Sequence, residues 1–173
     1  MQEMTAEQAS FLLQSYLGTL KNEARITTQV LAAVPADKAE YRPDPVSMSA
    51  MELVRHIANA DNKFLEAVAT GVFDPTPGIP DAATTTAAIA AWYGERHARN
   101  FAALTRATPE QLLKVLDFRG LMRPAVVFLS IGLHHTIHHR GQLSSYLRSM
   151  GAKVPAMYGE SYDSAEARKA AKA

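Results

Sequence analysis

The stretch FLSIGLHHTIHHRGQLSSYL, residues 128–147, decides how this chain folds. Phe128, Ile131, His135, His139, Gln142 and Tyr146 recur in it at steps of three or four, the period at which side chains return to one face of an α-helix. Pro124 suits the first turn of such a helix, because the first turn leaves its N–H groups unpaired anyway. Gly151 suits its end, where the chain turns left-handed. The spacing predicts a long last helix whose inward stripe carries histidine as well as apolar groups.

Working outward, the same period appears three more times. Thr5 with Gln8 forms a capping box, and Phe11, Leu12, Tyr16, Leu20, Ile26, Val30, Leu31 and Val34 then keep near-helical spacing as far as Pro35. Ser49 with Glu52 forms a second box, followed by Leu53, Ile57, Ala60, Phe64 and Val68 up to Gly71. A proline-rich loop, FDPTPGIPDA, precedes an alanine-rich helix capped by Asp81 or a following threonine and running to about Thr105. Thr108-Pro109-Glu110 opens a short helical turn, and Val115 to Phe118 reads as a brief extended piece before Gly120. Four long helices without a series of strands imply an all-α fold, a four-helix bundle. Residues 152–173 form a turn-rich and then charged tail, giving one domain over 1–173.

Composition narrows the function. A chain of 173 residues with 47% hydrophobic and 20% charged residues has the make-up of one domain with a proper core. Lys and Arg number 18 against 17 Asp and Glu, scattered without a basic stripe, so nucleic acid is not an expected partner. The absence of cysteine excludes disulfides, thiolate metal sites and a cysteine nucleophile, and any metal must rest on nitrogen and oxygen. The N-terminal residues lack a signal-peptide layout, and Ala125 to Leu133 is too short to span a bilayer, so the expectation is a cytoplasmic protein with no membrane partner.

Five of the six histidines fall in two places: His56, and His134, His135, His138 and His139. Imidazoles four apart on a helix sit one turn above each other and can converge on one ion, which allows the pair 134 and 138 or the pair 135 and 139. Helix phase selects His135 and His139, which continue the stripe of Phe128, Ile131, Gln142 and Tyr146, whereas His134 is turned about 100° away from His135. His56 shares the apolar side of the second helix with Leu53 and Ala60, and bundle cores are where facing helices assemble metal sites. Histidine-rich helices also serve as solvated faces, pH-sensitive contacts or adventitious metal binders, and a histidine on an apolar stripe is commonly a hydrogen-bonded core residue.

The run His135-Thr136-Ile137-His138-His139-Arg140-Gly141-Gln142-Leu143, followed by Tyr146-Leu147-Arg148, resembles the signature of the DinB/YfiT-like superfamily. Ser49 to His56 resembles that family's second-helix element, Phe118-Arg119-Gly120 its short turn, and Gly151 to Pro155 with Tyr158-Gly159 the segment after its last helix. His134 departs from the pattern, in which another polar residue such as asparagine commonly stands there. The resemblance implies an up-down-down-up four-helix bundle, often a homodimer. It also implies a divalent metal held by one histidine of the second helix and two of the last, here His56, His135 and His139.

Three imidazole ligands leave positions open for water or substrate, and such a site accepts zinc, nickel, copper or iron. An ion there lowers the pKa of bound water or deprotonates a bound thiol. Relatives implied by the resemblance include thiol-dependent transferases and isomerases, so the first expectation is a metal-dependent thiol S-transferase-like enzyme. It would use a low-molecular-weight thiol and a small-molecule substrate. A non-catalytic metal or small-ligand module and a metal-dependent hydrolase stay open beside it. Gln142 is a candidate for orienting a water or ligand, and Arg140 and Arg148 for binding a thiol cofactor's carboxylate, although surface arginines are more often solvated. Tyr146 reads equally well as core. Glu52, one turn before His56, is more economically the cap of its helix.

Overall fold

In the computed structural model, which describes residues 4–73 and 77–172, the chain forms α1 (Ala6–Ala32), a single 3₁₀ turn (Ala36–Lys38), α2 (Ala50–Thr70) and α3 (Thr86–Leu104). There follow a short α4 (Pro109–Leu113), strands β1 (Val115–Phe118) and β2 (Leu121–Pro124), α5 (Val127–Ser149) and α6 (Tyr162–Ala170). The loop read over residues 73–82 lies partly outside the described residues. The helix starts follow from their caps. Thr5, Ser49 and Thr108 each close a capping box, and Thr85, not Asp81, accepts from the Ala88 N–H to begin α3. Gly71 ends α2 with φ 77°, a left-handed value that glycine adopts without a Cβ penalty.

Pro124 does not open the last helix. Arg119 and Gly120 both have positive φ, which makes the tight turn of a two-residue hairpin, and residues 121–124 fold back antiparallel along 115–118. Pro124 therefore ends β2 opposite Val115, and α5 starts three residues later. The fixed φ of proline suits both places, and only the Arg119-Gly120 turn decides between them. The hairpin delivers Phe118 to a cluster with Phe64, Phe73 and Phe128, at ring separations of 5.0 Å from the first two.

Contact pairs give the run of the helices. His56 and Phe64 of α2 meet His139 and Phe128 of α5, so these two are antiparallel. Asp61 and Glu66 of α2 meet Tyr93 and Arg96 of α3, so those two run the same way. Thr86 of α3 donates to the Val34 carbonyl just beyond α1, while Gly94 lies against Thr28, which makes α1 and α3 antiparallel. Around the bundle the order is α1, α3, α2, α5, and α1 sits diagonally across from α2.

Two apolar clusters fill the ends. One joins Leu13 and Leu20 to Leu65, Val68, Leu104 and Leu129, and the other joins Val30 and Leu31 to Leu53, Ile57, Ile89, Leu143 and Leu147. Between them lies a polar layer contributed by all four long helices: Glu23 and Thr27, Asp61 and Asn62, His97 and Asn100, and Thr136 and Arg140, all buried. Buried polar groups persist only when hydrogen-bonded, and most of this layer is. Asp61 accepts from the hydroxyls of Tyr93 at 2.6 Å and Thr136 at 2.8 Å, and Asn100 donates to the Asn62 Oδ1 at 3.2 Å.

The buried residues of α5 are Phe128, Leu129, Gly132, Leu133, Thr136, Arg140, Leu143, Tyr146 and Leu147, so Phe128 and Tyr146 of the stripe read in the sequence are core, while between them the buried face lies one position round from it. Ile131, His135, His139 and Gln142 form a half-buried shoulder instead. Two polar residues, Thr136 and Arg140, occupy core positions, so hydropathy alone misplaces the middle of the buried face by one position. On α1, Phe11 is likewise exposed and not part of the core. The charged end of the tail forms α6, started by a Ser161–Ser164 capping box.

Candidate metal centre

His135 and His139 lie one turn apart on the α5 shoulder and face His56 across the α2–α5 seam. How closely that seam shuts is set at Gly132, one turn before Thr136 on the buried stripe. A Cβ at Gly132 would stand 2.7 Å from the Phe64 Cβ, so the missing side chain lets α5 approach α2. Thr136 then fastens the two helices through Asp61.

The three rings form a compact triangle. Centroid separations are 4.8 Å for His56 and His135, 4.5 Å for His56 and His139, and 4.5 Å for His135 and His139. One nitrogen from each lies within 4.8 Å of the others, and the Nε2 atoms of His56 and His135 are 3.0 Å apart. Nitrogens held tetrahedrally at about 2.0–2.1 Å from one ion would be about 3.3 Å apart, so this pair is already near that spacing. No carboxylate belongs to the cluster among the described residues.

Burial and the neighbouring rings keep these groups receptive. Desolvation, then the charge of His139, lowers the pKa of His56. Desolvation, then His139, His56 and His138, pushes His135 down to about 4. Both are therefore unprotonated near neutral pH, with lone pairs free for a cation. The Oε1 of Gln142 lies 3.1 Å from the His139 Nδ1, and its amide nitrogen donates to the Tyr146 hydroxyl at 3.2 Å. A proton on Nδ1 satisfies that contact and leaves the His139 Nε2 to a cation. His135 has no such support, since its buried Nδ1 lacks a partner among the described residues.

The other sequence candidates fall elsewhere. His134 is exposed and pairs with the Ser130 hydroxyl, and His138 is exposed beside His139. Gln142 holds a histidine ring in place of the expected water or ligand. Arg140 is buried, at 1% exposure, and not a surface residue. Its guanidinium donates to the Glu23 carboxylate at 2.5 Å, to Thr27 and to Tyr158, so it is not offered to a cofactor. Arg148 pairs with Asp163 at 2.7 Å. Glu52 accepts from the Ser49 N–H as a cap. Sequence reading missed Glu23 and Asp61, whose only signal was an acid at a core-facing helical position.

The DinB family model matches residues 2–170. The chain belongs to the DinB family. It is 30% identical over 130 residues to the uncharacterized protein YjoA of Bacillus subtilis, covering 73% of this chain and 82% of YjoA. The crystal structure of that DinB-like protein superposes with a TM-score of 0.69 at 25% identity, over 84% of this chain and 99% of YjoA's. A DinB-like protein from Bacillus cereus shares the fold, with a TM-score of 0.67 at 24% identity over 84% of this chain and 97% of its own. No described helix is long and apolar enough to cross a membrane.

Proposed function

We propose that this DinB-family protein is a divalent-metal-dependent enzyme that activates a thiol or a water at His56, His135 and His139, with thiol S-transfer as its leading chemistry. The observation that carries this reading is the donor set: three imidazoles converge and no carboxylate joins them among the described residues. Neutral ligands leave the charge of a bound zinc, nickel or iron undiminished, which favours an anionic thiolate or hydroxide at an open position. The chain's own part is to hold the rings. Gln142 fixes His139, and the Gly132–Phe64 contact and the Thr136–Asp61 bond set the α2–α5 spacing.

The same donor set favours a second reading, a metal or small-ligand binding module without turnover, because it brings no carboxylate into the cluster to act as general acid or base. A metal-dependent hydrolase ranks third. A homodimer and a cytoplasmic location accompany the first reading, the dimer from family resemblance and the location from the sequence.

Protein purified without an affinity tag is expected to carry one transition-metal ion per chain. Loaded protein, offered glutathione, bacillithiol or mycothiol with an electrophile, is expected to form the thioether, and His135→Ala to abolish both binding and turnover. Metal binding with silence across all thiols supports the binding module, and ester cleavage without a thiol supports the hydrolase. Failure to bind zinc, nickel or iron overturns both enzyme readings and the metal-binding form of the module. Light scattering tests the dimer.

A further inference from the structure

The edge of the bundle opposite the α2–α5 seam is the junction of α1 and α3, and it contains a cavity of about 390 Å³. Two facing stripes line it: Lys21, Arg25 and Thr28 from α1, and Gly94, His97 and Phe101 from α3. The missing side chain at Gly94 opens the floor, since a Cβ there would meet only the Thr28 hydroxyl at 3.8 Å. The size falls in the range of small-molecule sites.

His97 is the polar layer's exception. It is 5% exposed, yet it makes no hydrogen bond among the described residues, and its Nε2 is 4.0 Å from the Asp61 carboxylate, beyond hydrogen-bonding reach. Neither of its ring nitrogens is sealed away from solvent, and the ring lines the cavity, so its polar edge is open to whatever occupies that space. Phe101 stacks nearly parallel to it, at 6.3 Å and 18°, which extends a flat aromatic wall. At the rim, Lys21 and Arg25 form no ion pair among the described residues, and Arg25 donates only to the neutral side chains of Asn22 and Gln29.

We propose that this α1–α3 cavity is a second binding site, for a small planar aromatic anion. Its ring lies against Phe101 and over Gly94, its anionic group meets Lys21 and Arg25, and a polar atom pairs with the His97 imidazole. Each element of the site answers one part of the ligand: a flat apolar wall, unpaired cations and an imidazole that makes no hydrogen bond to the described residues.

The test uses the full metal-loaded chain with benzoate and phenyl phosphate as probes, and acetate and benzyl alcohol as controls lacking the ring or the charge. Calorimetry is expected to give one-to-one binding of an aromatic anion at least tenfold tighter than either control, and NMR to show the His97 ring resonances moving. Which probe binds more tightly distinguishes carboxylate from phosphate. Gly94→Leu is expected to weaken binding at least tenfold, and should that variant fold poorly, Ala98→Leu, at another residue lining the cavity, is expected to do the same. Lys21→Ala with Arg25→Ala is expected to reduce it to the level of benzyl alcohol, and His135→Ala to leave it unchanged. Binding no tighter than the controls overturns the proposal. So does loss with His135→Ala, which places the anion at the triad, or a halved mass in Gly94→Leu without probe binding, which makes the groove a contact between two copies.

Discussion

Two groups of polar side chains occupy the same level of the bundle on adjacent faces of α5, and they are built on opposite principles. Arg140 and Thr136 face the core, where each donor finds an acceptor: Glu23 and Thr27 for the guanidinium, Asp61 for the hydroxyl. His135 and His139, one residue before each, face α2 with nitrogens crowded toward each other and one buried nitrogen unpartnered. The first group is complete within the chain and holds helices together. The second is incomplete within the chain, which is the condition for taking a ligand. A polar cluster is therefore read by whether its hydrogen bonds close, not by its burial.

The sharpest way to break this contrast is to remove one member from each group. His135→Ala is expected to abolish stoichiometric metal binding, measured by elemental analysis, while changing the metal-free melting temperature little. Glu23→Ala is expected to do the reverse, costing about 3–5 kcal/mol in denaturant unfolding because it strands the buried Arg140 charge, with metal binding kept in the folded fraction. Equal effects of the two on stability would erase the distinction.

Smaller effects test the link between the groups. Gly132→Ala is expected to cost about 1–3 kcal/mol by forcing α5 away from Phe64, and to weaken metal binding as the seam opens. Gln142→Ala removes the support of His139 and the hydrogen bond to the Tyr146 hydroxyl, and is expected to lower metal affinity about tenfold with a stability loss of about 1 kcal/mol. A further effect is in pH. His135 has a folded pKa of about 4 against an ordinary 6.5, so the unfolded chain binds its proton first as the pH falls. Its contribution to stability is full above about 6.5 and is lost progressively toward pH 4. Metal-free protein is expected to melt at lower temperature across that window, and His135→Ala to flatten the profile.

The helices were legible because their signals are local. Capping pairs at Thr5, Ser49 and Thr108 act within one turn, and apolar repeats survive a few polar interruptions. The histidine pair at 135 and 139 was legible for the same reason, since spacing on one helix fixes a shared face. Pro124 was misread because the deciding residues, Arg119 and Gly120, act by pairing two strands. Arg140 was misread because its acceptor, Glu23, is 117 residues away in sequence.

By itself, then, the sequence determined four long helices, the capping boxes of the first two, and three histidines able to share an ion, all consequences of short-range geometry. Only the tertiary structure decided which stripe of α5 is buried and which polar residues are paired. It also showed that the buried Nδ1 of His135 is left without a partner among the described residues. Those properties depend on what lies across a helix interface, and no periodicity within one segment records the partner on the other side.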